Sequence, residues 1–423
     1  MLKRILTATL CCVLLVSTMG LSALAADEPI TLEFWTVSLQ PTFTDFINGI
    51  VAEYETAHPG VKIEWVDLPW DGYQEKLVTS ISAGDPPDVV NLWDTLSLKE
   101  ATADVLVNLN EEATPEQLGI YSEAVLAAND VDGGLYGFPW YASVPVTVYN
   151  KELLAQAGFD APPKTYAEML QMAPIFKEKT GAYLYLPMGL YAEIHGTVEV
   201  ISNDETTATF NTPELVQMIT TLQTGVNEDW LPRGGWNDWN EAIKMYAQGS
   251  LGMISANAQS VARIENEAPD KYAVSAIAFP MLYDRGFAYT SNYYLLIPKG
   301  SKHHAEAIDF ANFVTNDKNQ LAFCKLAAIF PTTKEAPKDP FFTADTETPV
   351  GQARAMAAQV AASPYVVCID AVNVRFDDIN HELGVLEDEV IADPSADVAA
   401  GIAKVEAAVN AILAEEQAAK KSQ

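Results

Sequence analysis

The sequence predicts an α/β protein whose sheets, mostly parallel, are flanked by helices. Three observations point there. Apolar patterns of period two alternate with patterns of period 3.6, as they do when strands are separated by covering helices. Hydrophobic residues make up 49% of the chain and charged residues only 19%, a globular balance rather than a disordered one. The 423 residues suffice for two or three domains with well-filled cores.

Residues 1–26 stand outside that fold. Lys3 and Arg4 precede an apolar run from Ile5 to Leu24 that ends in Ala23-Leu24-Ala25. A charged start, an apolar middle and a small-x-small site describe a secretory signal peptide. An uncleaved anchor is the alternative, since about 20 apolar residues can span a bilayer, but no basic stop-transfer cluster follows. Cys11-Cys12 does not read as a lipid-attachment site, because Leu10 stands where a small residue is wanted and the apolar run continues. Cleavage would leave Cys324 and Cys368, which export permits to pair but does not oblige.

Ile30, Leu32 and Phe34 alternate with polar residues as a first strand. Phe43, Phe46, Ile47, Ile50, Val51 and Tyr54 then mark one helix face, stopped by His58-Pro59-Gly60. Val61, Ile63 and Trp65 form a second strand. Asp71 is placed to cap a helix carrying Tyr73, Leu77 and Ile81, which Gly84-Asp85-Pro86-Pro87 ends. A short apolar run at 89–93 reads as a buried strand. Ligands of such sheets sit beyond the carboxyl ends of the strands, which directs attention to the segments after Phe34, Val66 and Leu92. A second α/β pattern follows Pro139: a strand at 144–149, a helix from Lys151 to the Gly158 stop, and a helix that Thr165 and Glu168 begin as a capping box. Helices are expected at 214–225, 239–249, 305–314 and 395–416, and a strand at 293–298. No repeat or low-complexity linker appears, so the domains must be joined by short crossings.

Charge narrows the function. Against 25 Lys+Arg stand 57 Asp+Glu, a net charge of −32, which disfavours nucleic acid, anionic membrane surfaces and anionic substrates. No phosphate-binding loop, dinucleotide fingerprint or nucleophile elbow is present. His381-Glu382 lacks a second histidine, since position 385 is Val385. His303-His304 reads as a solvated helix start and Asn129–Gly133 as a polar turn. Asp377-Asp378 and Glu387-Asp388-Glu389 read as solvated helix faces. No catalytic residue, metal or cofactor is expected. A secreted glycan-active enzyme stays open as an alternative, because glycosidase carboxylates need no local motif.

Eight Trp and 17 Tyr are present, several near expected strand ends: Trp35, Trp70, Trp93, Trp140, Tyr141, Trp236, Trp239 and Tyr289. A sugar ring packs its C–H face on an aromatic plane and needs paired donors and acceptors for its hydroxyls. Trp and Tyr mixed with Asp, Asn, Gln and Ser are its chemical complement.

Gly134-Leu-Tyr-Gly-Phe-Pro139 and the run Val146-Thr-Val-Tyr-Asn-Lys-Glu-Leu-Leu-Ala-Gln-Ala-Gly158 resemble the signature of family 1 extracellular solute-binding proteins, the maltose-binding-protein-like sugar receptors of ABC importers. Pro162-Pro-Lys-Thr-Tyr-Ala-Glu168, Ala83-Gly-Asp-Pro-Pro-Asp88, Tyr246-Ala-Gln-Gly-Ser-Leu-Gly-Met253, Ile297-Pro-Lys-Gly-Ser301 and Phe330-Pro-Thr-Thr333 continue it, so the likeness covers the whole mature chain. It implies a two-lobed periplasmic-binding-protein fold with the ligand cleft between lobes. The lobes would comprise 27–140 with about 290–330, and 141–289 with about 331–423. Crossings would fall near 141–144, 287–291 and 329–333.

Carried over position by position, the ligand-binding candidates are Trp35, Gln40, Trp93, Asp94, Trp140, Tyr141, Ser143, Tyr191, Asn257, Gln259, Tyr289, Ser291 and Asn292, joined by Trp236 and Trp239 from the aromatic set. In this reading Asp94 accepts from sugar hydroxyls, Trp93 and Trp140 stack, and Asn257 and Gln259 offer amides. Gln259 stands where relatives often carry Trp, and Ser143 where they often carry an acid, so no relative's sugar preference transfers directly. Arg375 is expected in an ion pair rather than on the ligand, and Cys324 and Cys368 as free thiols. The resemblance thus implies a monomeric periplasmic receptor, not a lipoprotein and not an enzyme, that hands a neutral sugar or oligosaccharide to an ABC permease. A peptide or polyamine receptor on the same scaffold is the further alternative.

Overall fold

The structure is a computed structural model and describes residues 29–70, 72–93, 102–131, 133–236, 238–368 and 375–422. The expected signal peptide, the Asp71 cap and Asp94 lie outside the described residues, as does the side chain of Cys368.

The amino-terminal half opens as expected. Strand β1 (Ile30–Val37), helix α1 (Thr44–Ala57), strand β2 (Val61–Leu68), helix α2 (Tyr73–Ala83) and strand β3 (Val89–Leu92) follow in order. Both β2 and β3 pair with β1 in parallel, Ile30 lying opposite Val61 and Phe34 opposite Val89. Helix α2 begins after Gly72, whose φ of 82° favours glycine. The two faces of β1 serve two layers, as period two requires. Phe34 packs edge-on against Phe310, ring centroids 5.3 Å apart. Trp35 instead faces Tyr73 and Leu77 of α2.

The chain then runs along β4 (Gly137–Ser143) into β5 (Val146–Asn150), helix α3 (Lys151–Ala157) and helix α4 (Tyr166–Thr180). Thr165 caps α4 by accepting from the Glu168 N–H, and the Glu168 carboxylate reaches back to the Lys164 N–H at 2.7 Å. Helices α5 (Leu190–Thr197), α6 (Pro213–Asn227) and α7 (Trp239–Ala247) precede strand β6 (Met253–Ala256), helix α8 (Ala258–Glu267) and strand β7 (Ser275–Ala278). Strand β8 (Ala288–Leu296) returns to the first sheet, followed by α9 (His304–Val314), α10 (Asp317–Ala327) and β9 (Phe330–Pro331). Helix α11 (Pro349–Ala361), strand β10 (Val366–Cys368) and helices α12 (Phe376–Leu386) and α13 (Val398–Ser422) complete the chain.

Two sheets result. One has the order β9-β4-β8-β3-β1-β2, with β10 pairing on β8, and the other the order β6-β5-β7. The expectation of mostly parallel sheets holds for β3-β1-β2 and for β10 on β8, and is corrected elsewhere. Strand β8 enters from the second sheet and runs antiparallel to both β3 and β4. The β6-β5-β7 ladder is antiparallel throughout, and parallel pairing there is limited to isolated bridges such as Tyr183 with Leu251.

The two strands that carry the chain between sheets, β4 and β8, lie side by side, and β9 pairs on β4. Ser143 is opposite Ser291, and Ala142 is opposite Phe330. Side chains alternate across this shared ribbon, so one of its faces looks into the space between the sheets and the other looks away. Arg375 pairs with Asp378 at 2.6 Å, beside the start of α12. Cys324 is a buried free thiol on α10.

Candidate functional site

A cavity of about 520 Å³ lies between the two sheets. Its floor is the crossing ribbon: Ser143 from β4, and Tyr289, Ser291 and Tyr293 from one face of β8. Thr290 and Asn292, one residue out of phase, line a groove of about 960 Å³ on the opposite face, together with Ala142, Phe330 and Val366. Tyr293 is braced by Tyr141, their rings stacked at 4.4 Å and 14°.

The second-sheet wall carries most of the polar atoms. Thr147 on β5, Ser255 on β6 and Asn257 just after it face the cavity. Asn257 caps α8: its Oδ1 accepts from the N–H and the hydroxyl of Ser260, at 2.8 and 2.9 Å. Its Nδ2 donates to Ser143 Oγ at 2.8 Å. The cap therefore uses the acceptor end of this amide, and only the remaining N–H can reach a ligand. Gln259, exposed on the first turn of α8, lines the cavity beside it. Trp239 projects from the first turn of α7, which Asp238 fixes by accepting from the Glu241 N–H at 3.0 Å. Met188, Met253 and Met281 fill the gaps, as flexible thioethers do around irregular guests.

The first-sheet wall is aromatic. Trp70, 49% exposed after β2, lines the cavity and stacks on Trp93 after β3, centroids 4.2 Å apart. Asp67 holds the neighbouring loop, accepting from Thr36 Oγ1 at 2.6 Å, from Leu39 N–H at 3.0 Å and from Gln40 N–H at 2.9 Å.

Beneath the second-sheet wall lies α5, seven of whose eight residues are buried. His195 meets the Tyr289 hydroxyl at 2.6 Å through Nδ1. Desolvation first, and the nearby Arg285 guanidinium second, push its pKa down to about 4, so the ring is neutral near pH 7. Arg285 donates to the His195 carbonyl at 2.8 Å and pairs with Glu199. Glu193 is 0% exposed and accepts from the Met188 N–H at 3.1 Å. Burial pushes its carboxyl up to about 7.

Of the residues expected from sequence, Ser143, Trp239, Asn257, Gln259, Tyr289 and Ser291 meet around this cavity, and Trp93 joins them through Trp70. Others do not. Trp140 is 0% exposed and stacks on Phe323 at 5.1 Å, because it is one residue out of phase with Ser143 on β4 and faces the core. Trp35 lies under α2 and donates through Nε1 to Glu33 at 2.6 Å. Tyr191 is buried edge-on against Phe376, and Trp236 is buried with its Nε1 donating to the Pro232 carbonyl. Asn292 faces the opposite groove. Gln40 is exposed away from the cavity lining, and Tyr141 is a buried brace. Tyr185, Tyr283 and Tyr293 line the cavity unannounced. For Tyr293 the signal was available, since it continues the Tyr289–Ser291 phase. Tyr185 and Tyr283 sit in irregular segments without periodicity.

A family model described as bacterial extracellular solute-binding protein matches residues 49–350. A curated relative from Brucella abortus (strain 2308) is 25% identical over 339 residues, 76% of this chain and 80% of its own. The diacetylchitobiose binding protein DasA of Streptomyces coelicolor is 32% identical over 145 residues, 34% of this chain and 33% of its own. Among solved structures, the sugar-binding protein MalE from Xanthomonas citri superposes with a TM-score of 0.75 at 20% identity, covering 93% of this chain and 100% of its own. The GacH receptor of Streptomyces glaucescens, solved unliganded and with acarbose, gives 0.71 at 17% identity, covering 91% and 98%. At these identities the superpositions speak to fold: two α/β lobes around a cleft.

Proposed function

Because the chain belongs to the bacterial extracellular solute-binding protein family, we propose that it captures a neutral sugar or oligosaccharide between its lobes and delivers it, unaltered, to an ABC import permease. One observation carries the choice of ligand. Among the described residues, no Asp, Glu, Lys, Arg or His lines the cavity, while Trp70, Trp239 and four tyrosines do. Among these residues a phosphate ester or a carboxylate would find no cation, and a polyamine no carboxylate. A sugar would find aromatic planes for its C–H face and Ser143, Thr147, Ser255, Asn257, Gln259 and Ser291 for its hydroxyls.

The proposed lobes are 27–140 with about 290–330 and 141–289 with about 331–423. They would close by rotation about the crossing ribbon, and ligand that binds the closed form more tightly shifts the balance toward it. The proposed setting is the periplasm, reached by the signal peptide at 1–26 without lipid attachment, with the protein acting as a monomer. Calorimetric titration of the mature protein against a panel including maltotriose and diacetylchitobiose tests the reading, with reducing-end assays run in parallel. Binding without turnover supports it. Turnover would favour a glycan-active enzyme, and tight binding of a peptide or polyamine with no sugar binding would overturn the ligand class.

A further inference from the structure

Helix α5 is buried on nearly every side yet carries two ionisable residues, Glu193 and His195. Such groups are buried only when paired or neutral. His195 has its hydroxyl partner, Tyr289. Among the described residues no cation pairs with Glu193. Its Oε1 accepts from the Met188 N–H, while its Oε2 and the nearby Tyr166 hydroxyl are both buried without a hydrogen-bond partner. Tyr166 on α4, Tyr185 before α5 and Tyr283 after β7 surround the carboxyl and interact with it, and Asp284 adds a like charge. On the remaining sides, α6 presents Leu215, Met218, Ile219 and Leu222 from its buried face. Of α12's ionisable residues, Asp378 pairs with Arg375, His381 is exposed and Glu382 is half-buried.

What this carboxyl touches is the ligand cavity at one remove. Met188, Tyr185 and Tyr283 all line the cavity, and Gly196, one turn along α5, leaves room for the Tyr283 ring. Glu193 thus sits behind three consecutive parts of one wall. A neutral carboxyl donates its own proton to a tyrosine oxygen and lets that hydroxyl turn its hydrogen outward. An ionised one draws tyrosine hydrogens inward. Closure of the lobes over an uncharged ligand dries this wall further, which favours the neutral form.

We propose that Glu193 is a positioning residue for the ligand, holding the Tyr185–Met188–Tyr283 wall in its protonated state, so that sugar capture is linked to proton uptake at this carboxyl. The inference rests on the sugar-receptor reading of the cleft. His195, already neutral near pH 7, is excluded as the titrating group in that range.

The test is calorimetry of the mature protein with the tightest-binding sugar of the panel, beginning with maltotriose and diacetylchitobiose, near pH 7 in buffers of different ionisation enthalpy. The expected result is fractional proton uptake per ligand and an affinity that weakens by about threefold or more from about pH 6 to about pH 8. Glu193→Gln, neutral at every pH, should abolish both effects, whereas Asp284→Asn should keep them. Infrared spectroscopy of the unmodified protein supplies an arm that does not depend on the variant folding. A protonated-carboxyl band should persist near neutrality, vanish at alkaline pH and grow on adding sugar. Binding with no proton exchange, or a Glu193→Gln protein that takes up protons as the wild type does, overturns the inference alone. No binding of any sugar at any pH overturns the functional reading, and the inference with it.

Discussion

Replacing Glu193 by Gln makes stability report on the same buried carboxyl without any ligand. In the folded protein its pKa is about 7, against 4.5 for an ordinary glutamate. Between those values the native state keeps a proton that the unfolded chain has released. Stability therefore falls as pH rises from about 4.5 to about 7, and levels off above. At about 1.4 kcal/mol per tenfold change in proton affinity, this difference is worth about 3 kcal/mol. The group is fully buried, so solvent screening does not reduce it. Glu193→Gln lacks this term, so relative to wild type it should gain about 3 kcal/mol between about pH 4.5 and about pH 8, or about 3–4 °C in melting temperature for a chain of this size.

Calorimetric melts of both proteins across that range supply the measurement, and the difference between them is the quantity to read. The wild-type curve alone is ambiguous, because His195 has its pKa lowered from 6.5 to about 4. It costs stability as pH falls through the same window, opposite in sign to Glu193. Subtracting one melt from the other removes His195 and the surface acids together. A difference that stayed constant with pH would show that Glu193 ionises like an exposed carboxyl. One that shrank as pH rose would reverse the sign and refute the burial account.

Trp239→Ala should weaken sugar binding about tenfold, near 1.4 kcal/mol, with little change in the unliganded melting temperature, because the ring is only partly buried; calorimetry and thermal melts separate the two. Trp140→Ala should do the reverse, costing about 3–5 kcal/mol of stability as its place against Phe323 empties, while chemical denaturation and titration of the folded protein find sugar affinity retained. Gly196→Ala should push Tyr283 toward the cavity, costing about 1–3 kcal/mol and weakening binding as well. Thiol titration of the unfolded, unreduced mature protein should find both Cys324 and Cys368 reactive; a count of none would mean that they are bonded.

Periodicity carried the fold a long way. The β1–α1–β2–α2–β3 order was legible because each element buries one face and its apolar phase says which. Strand direction was not legible in the same way. Nothing in the pattern of residues 288–296 says that this strand returns from the other sheet, and that return makes its pairings antiparallel. At the site, phase decides between neighbours that composition treats alike. Tyr289 and Ser291 face the cavity, whereas Asn292, Trp140 and Trp35 fall on other faces of their strands. A slip of one residue exchanges ligand contact for core. Asn257 shows another limit: a cap and a ligand amide want the same residue type, and only the Ser260 contacts reveal which use takes its oxygen.

The charge distribution joins the global and local pictures. A chain with 57 acidic residues and a cleft proposed to take an uncharged guest is served by keeping most carboxylates away from the described cavity wall, or neutral. Both devices operate among the described residues. Most acids stay near solvent, many in exposed pairs such as Lys62 with Glu55 and Lys404 with Glu389, where ionisation costs little. Glu193 sits behind the wall, and the same burial that places it behind Tyr185 and Tyr283 pushes its carboxyl up to about 7. A cation at this position would compensate the carboxylate, but it would also bring a fixed ion pair to the wall and make the cavity attractive to charged solutes. Three tyrosines around a carboxyl that holds its proton up to about pH 7 place polar groups behind the wall without a fixed ion pair. The proposed selectivity for a neutral guest and the raised proton affinity of Glu193 thus rest on one feature of the described residues, a buried carboxyl behind the wall with no cation paired to it.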